Sequence, residues 1–190
     1  ITTRLVGSEM CIRDSTDTKT LIYSYNASYD DANSQLNESS GQFALAYTAI
    51  ENANLAIAGL RKYGNVENNA GMRYLLGEAL VLRALYYHDL VKAWGDVPAR
   101  FQPIGETGDV IKPKNDRDVI YRQIISDLEE AVNYVYWPNE SGKTGLTTRV
   151  NKAFAYGLLA RVCLSAAGYS QRPDEGQIGT GNVGQNLRSR

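Results

Sequence analysis

The 190-residue chain has one histidine, two cysteines and no strongly basic block, with 20 basic residues against 21 acidic ones. Each shortage excludes something. A formal charge of −1 without a basic patch argues against a nucleic-acid footprint. Cys11 and Cys163 supply neither a disulfide framework nor metal-ligand spacing. A Ser-His-Asp triad or a histidine-rich metal site would rest on His88 alone, and no nucleophile motif accompanies it. No cofactor is expected. Apolar runs of about 18 residues are missing too, so no transmembrane helix is read from the chain. The three phenylalanines stand against 13 tyrosines, whose apolar bodies and polar tips suit wet recognition surfaces.

No segment alternates with period two over a useful length, whereas a helical period recurs. From Gln42 to Lys62 an apolar face of Phe43, Ala46, Tyr47, Ile50, Ala53, Ile57 and Leu60 encloses Asn54, which needs a hydrogen-bonding partner if buried. A second helix is expected from Asn69 to Trp94, with Leu75, Ala79, Leu82, Tyr86 and Leu90 as its buried stripe. Gly95 and Pro98 end it. Glu78 and Asp89 project at the edge of that stripe. With Arg83 and Asn54 they are read as a structural polar network reaching Arg161 or Lys152, because charges on an apolar face must be paired.

A breaker-rich loop follows, holding Gly95, Pro98, Pro103, Gly105, Gly108 and Pro113. Asn115 or Asp116 then caps a third helix to about Val135, with Ile120, Ile124, Leu128, Ala131 and Val135 inward. Thr148 is expected to cap a fourth, Arg149 to Ala167, where Ala153, Gly157 and Ala160 make a side small enough for close helix approach. The sequence therefore predicts an all-α fold of TPR-like antiparallel helix pairs with long connecting loops. Gly142-Lys-Thr is not a P-loop: the pattern needs a glycine where Trp137 stands, and a preceding strand.

Four blocks in chain order carry a family resemblance. They are YTAIENANLAI (Tyr47 to Ile57), GEALVLRALYYHDLVKAWGDVP (Gly77 to Pro98), RDVIYRQIISDLEEA (Arg117 to Ala131) and TTRVNKAFAYGLLARVCL (Thr147 to Leu164). Together they resemble the SusD/RagB family of surface glycan-binding lipoproteins. Val81 stands where that family usually has an aromatic, and Trp137-Pro138 replaces its common Leu-Pro. The resemblance implies a non-catalytic oligosaccharide-binding subunit on the cell outer membrane, partnered with a SusC-like TonB-dependent transporter. It also implies attachment to the membrane through an N-terminal lipid that this stretch lacks. A helical-repeat protein-interaction module without a small ligand is the alternative.

Residues 1–15 read as an adapter-like artefact, residues 16–41 as a polar loop region, 42–170 as an incomplete helical domain and 171–190 as loop. The chain is thus expected to be an N-terminal fragment. Within the polar region, Tyr23, Tyr25, Tyr29, Asp30, Asp31 and Asn33 have the chemistry for glycan contact. Aromatic faces stack on pyranose C–H groups, and carboxylates and amides pair with hydroxyls.

Overall fold

The computed structural model describes residues 41–167, apart from 109–110, 143 and 146–147. The chain divides into two compact units, Ile1–Ala46 and Tyr47–Arg190. Of the first unit the structure describes only the opening turn of a helix, where the Leu45 amide donates to the Gly41 carbonyl (3.1 Å).

Among the described residues every regular element is a helix: α1 Gln42–Tyr63, α2 Ala70–Trp94, α3 Ile104–Thr107, α4 Arg117–Ala131 and α5 Lys152–Ala167. Within the second unit α1 runs antiparallel to α2, since Asn54 meets Arg83 while Tyr47 lies edge-on to Tyr87. Pairing of Arg83 with Asp127 and of Asp96 with Arg117 sets α2 antiparallel to α4 in the same way. The antiparallel helix pairs and the all-α class are as the sequence predicts.

Capping follows local chemistry. Asn69 accepts hydrogen bonds from the Gly71 and Met72 amides (3.0 and 3.2 Å) and opens α2. Gly95, at φ 73°, closes that helix with its amide on the Val91 carbonyl; this backbone region disfavours any residue with a Cβ. Asp116 caps α4 through the Asp118 amide (2.8 Å). At α5 the expectation of Thr148 fails. Asn151 is the residue that accepts from the Phe154 amide (2.9 Å), because the chain before it is held in a turn by Lys152 N–H on the Tyr136 carbonyl.

The core faces of α1 and α4 match their periodicity: Ile50, Ala53 and Ile57 are buried, as are Ile120, Ile124, Leu128, Ala131 and Val135. The expected stripe of α2 does not hold. Ala79 and Leu90 are buried, but Leu75 and Leu82 are 36% and 37% exposed, while Tyr74, Leu76, Leu80, Val81, Ala84, Tyr87 and Val91 fill the interior. This helix is enclosed on most sides, so apolar residues occur all round it and the period carries no phase. The loop before α4 also holds one helical turn, α3, that its glycines and prolines did not announce.

The close approach lies elsewhere than Ala153, Gly157 and Ala160, all of which are open; α5 packs through Ala155, Leu158 and Val162. Gly77 of α2 is the tight point. A Cβ there would stand 2.9 Å from Tyr134 Cβ, 2.9 Å from Val135 Cγ1 and 3.3 Å from the Ala131 carbonyl oxygen, whereas one at Gly157 would meet nothing within 4 Å. Gly77→Ala should therefore destabilise despite gaining about 1 kcal/mol of helix propensity, because overpacking costs roughly 1–3 kcal/mol. Gly157→Ala should be neutral or stabilising by up to ~1 kcal/mol. Urea denaturation of the two variants checks the pair, and equal midpoints would refute the contrast.

Candidate functional site

The described site is built around one buried cation. Arg83, only 3% exposed, projects from the middle of α2. Its Nε and Nη2 donate to the two carboxylate oxygens of Asp127 on α4, each at 2.8 Å, and its Nη1 donates to Asn54 Oδ1 of α1 (2.9 Å) and to the Phe101 carbonyl (3.0 Å). Asp127, itself 2% exposed, also accepts from Gln123 Nε2 at 2.8 Å. The guanidinium lies over the Phe101 ring (5.7 Å). Two charges leave water here, and the forked geometry with filled lone pairs is the condition under which such a pair is tolerated.

From this node a ring of side chains holds the loop that follows α2. Asn54 donates to the Arg100 carbonyl (3.0 Å), Tyr47 to the Pro98 carbonyl (2.7 Å), and Tyr87 to the Arg100 carbonyl (2.7 Å). The Tyr87 hydroxyl also accepts from the Arg100 amide at 2.6 Å. Asn115 accepts from the Ala99 amide and Glu51 from the Ile104 amide, both at 2.9 Å. The irregular backbone between Val97 and Ile104 is thus satisfied by side chains rather than by a ladder. Burial pushes the Tyr87 and Tyr47 hydroxyls far above the usual phenol range, so both remain neutral donors. At the foot of the loop Asp96 pairs with Arg117 Nε (3.1 Å). Although burial raises its pKa, the Arg117 hydrogen bonds outweigh that and hold it below the ordinary carboxylate value.

Glu78 belongs to a second pair, accepting from Arg149 Nε (2.8 Å) and Nη2 (2.5 Å). Arg149 also lies over the Tyr74 ring, which stacks on Tyr136 (5.5 Å) and donates to the Val150 carbonyl (2.8 Å). Of the polar residues grouped from sequence, then, Asn54 and Arg83 share one cluster and Glu78 sits in another. Asp89 is in neither. It is exposed, six residues beyond Arg83 and therefore about 120° around the helix from it. Nor do Arg161 or Lys152 serve as partners: Arg161 is exposed and Lys152 stands 5.9 Å over the Trp137 ring. The partners missed were Asp127 and Arg149. The proposed ligand residues Tyr23, Tyr25, Tyr29, Asp30, Asp31 and Asn33 lie outside the described residues.

The sole histidine is no base in waiting. His88 is 1% exposed, and neither ring nitrogen has a hydrogen-bond partner. Burial lowers its pKa, with Lys92 and Arg161 adding to the effect and Asp89 opposing it. The Tyr121 hydroxyl, likewise without a partner, is pushed up to about 12 by burial. Among the described residues no group of His, Cys, Asp and Glu could hold a metal ion, and no helix is long and apolar enough to cross a membrane.

Comparison with known proteins places these features. The SusD-like family described as "Starch-binding associating with outer membrane" matches residues 4–164. SusD-like protein P38 of Formosa agariphila is 34% identical over 86 residues, covering 45% of this chain and 16% of that protein. A solved SusD superfamily protein from Parabacteroides distasonis superposes with a TM-score of 0.68 at 28% identity, over 85% of this chain and 32% of its own. A laminarin-binding SusD-like protein superposes with a TM-score of 0.60 at 25% identity, over 72% of this chain and 28% of its own. The chain thus spans well under half of each of these proteins.

Two expectations follow from the geometry. Asp127→Ala strands the Arg83 guanidinium in the interior and should cost about 3–5 kcal/mol, whereas Asp89→Ala should stay within ~0.5 kcal/mol as a surface change; chemical denaturation distinguishes them, and equal losses would contradict the assignment. Because folded His88 has a lowered pKa, the unfolded chain takes up its proton first. Stability is then fully present above pH ~6.5 and falls as the pH drops toward the folded pKa, by at most about 1.4 kcal/mol per pH unit. His88→Phe should remove that slope from denaturation midpoints measured between about pH 5 and 7.

Proposed function

Because the chain belongs to the SusD-like family, we propose that it forms part of a glycan-binding subunit of an outer-membrane uptake system. The subunit captures oligosaccharide at the cell surface and passes it to a SusC-like TonB-dependent transporter, without covalent chemistry. The family match across residues 4–164 carries this reading. Likeness to a laminarin-binding protein over 72% of the chain supports a glycan as the ligand. Burial of the only histidine, with no activated nucleophile beside it, supports binding rather than catalysis.

In this reading the division of labour is by burial. The Arg83 cluster is enclosed, with four of the five guanidinium N–H groups bonded inside the protein, so it serves as scaffold rather than as a contact for sugar hydroxyls. Contact with the glycan is assigned to Tyr23, Tyr25, Tyr29, Asp30, Asp31 and Asn33, where aromatic and hydroxyl-pairing side chains alternate. Attachment through an N-terminal lipid on the full protein would hold the subunit at the outer face of the membrane.

Affinity electrophoresis of the full-length protein on a polysaccharide panel, followed by calorimetric titration with the best ligand, tests the proposal. Tyr25→Ala combined with Tyr29→Ala should weaken binding at least ~10-fold, equivalent to about 1.4 kcal/mol, with an unchanged melting temperature. Full affinity in the double variant would remove these residues from the site. Failure of the wild-type protein to bind any glycan would overturn the function itself.

A further inference from the structure

The turn between α4 and α5 carries an aromatic pair that is half exposed. Trp137 and Tyr156 stack with ring centroids 6.0 Å apart and planes inclined by 27°, yet remain 49% and 47% exposed. The contrast lies within the same unit: Tyr74, stacked on Tyr136, is 0% exposed and serves packing. A tryptophan and a tyrosine held face to face in water leave an apolar surface that neither polar tip can satisfy.

The turn that carries Trp137 is held by hydrogen bonds. The Trp137 amide donates to Glu140 Oε2 (2.6 Å) and the Glu140 amide to the Trp137 carbonyl (3.1 Å). Asn139, at φ 63°, donates its amide to the Thr144 carbonyl (3.2 Å), and the Lys152 amide ties the start of α5 to the Tyr136 carbonyl (2.7 Å). Asn139 and Glu140, adjacent in the turn, have exposed side chains, and the Lys152 ammonium stands over the Trp137 ring at 5.9 Å, so donors, acceptors and both charges lie near the aromatic pair. A flat apolar surface bordered by paired polar groups matches a pyranose ring, whose C–H face is apolar and whose hydroxyls radiate from its edge. Fixing the rings in advance cuts the ordering cost of binding.

We infer that Trp137 and Tyr156 form a saccharide-stacking platform that contacts a neutral oligosaccharide, in addition to the Tyr23 to Asn33 stretch. The inference rests on the glycan-binding reading above and adds a site to it. Hydroxyl-radical footprinting of the full-length protein, with and without laminari- or xylogluco-oligosaccharide, tests it together with calorimetric titration. Both aromatics should oxidise readily in the free protein and become several-fold protected at saturation. Trp137→Ala and Tyr156→Ala should each weaken binding ~3- to 10-fold, with Trp137→Phe retaining most of the affinity. Rings that resist oxidation in the free protein, or alanine variants that melt several degrees lower, would mean that the pair is covered by the rest of the protein and would overturn the proposal. So would unchanged affinity in Trp137→Ala while the Tyr25/Tyr29 double variant loses it, an outcome that leaves the glycan-binding reading intact. Absence of binding by the wild type to every glycan of the polysaccharide panel overturns both.

Discussion

One desolvated charge organises the described part of this molecule. The Arg83 guanidinium cannot return to water without opening the contacts between α1, α2 and α4, and it cannot remain inside without Asp127, Asn54 and the Phe101 carbonyl. Each partner comes from a different element, so the requirement to satisfy one cation fixes the register of three segments at once. An apolar side chain of the same volume could be tolerated at several offsets along the helix pair. A fork of directed donors accepts one, which is the sense in which polar cores buy specificity.

The same constraint explains why an irregular segment can follow the abrupt stop of α2. Gly95 and Pro98 terminate the helix, and the backbone that leaves it has no ladder to join. Tyrosine is well suited to the repair. Its ring fills the core while its hydroxyl reaches a carbonyl at the rim, as Tyr47 and Tyr87 both do. The excess of tyrosine over phenylalanine is therefore partly an architectural property. Phenylalanine in those places would fill the same volume and lose the hydroxyl's bonds to the Pro98 carbonyl and to the Arg100 amide.

Much of this could be read from the sequence, and the failures have physical causes. The faces of α1 and α4 were legible because each helix has one wet side, and the cap Asp116 because its chemistry is local. The phase of α2 was not, since a helix surrounded by neighbours loses its polar stripe. Asp127 sits in a run of carboxylates, DLEE, that reads as a solvated face. The available signal was its position seven residues after Ile120 and three after Ile124, on the apolar stripe itself. Arg149 is missed because the sequence reading puts it in the first turn of the fourth helix, whereas that helix starts at Lys152 and Arg149 lies in the bend before it, where no period gives a direction. Asp89 misleads for the opposite reason: the stripe it borders includes Leu82, which is exposed on the outward side of α2.

The loop between Val97 and Ile104 has its main-chain groups engaged from beneath by Glu51, Asn54, Arg83, Tyr87 and Asn115. Its path is consequently independent of what its own outward side chains are. The exposed Gln102 side chain takes no part in that support, whereas the supporting residues hold the trace through their own side chains. Support and display thereby fall on opposite sides of a single strip of backbone.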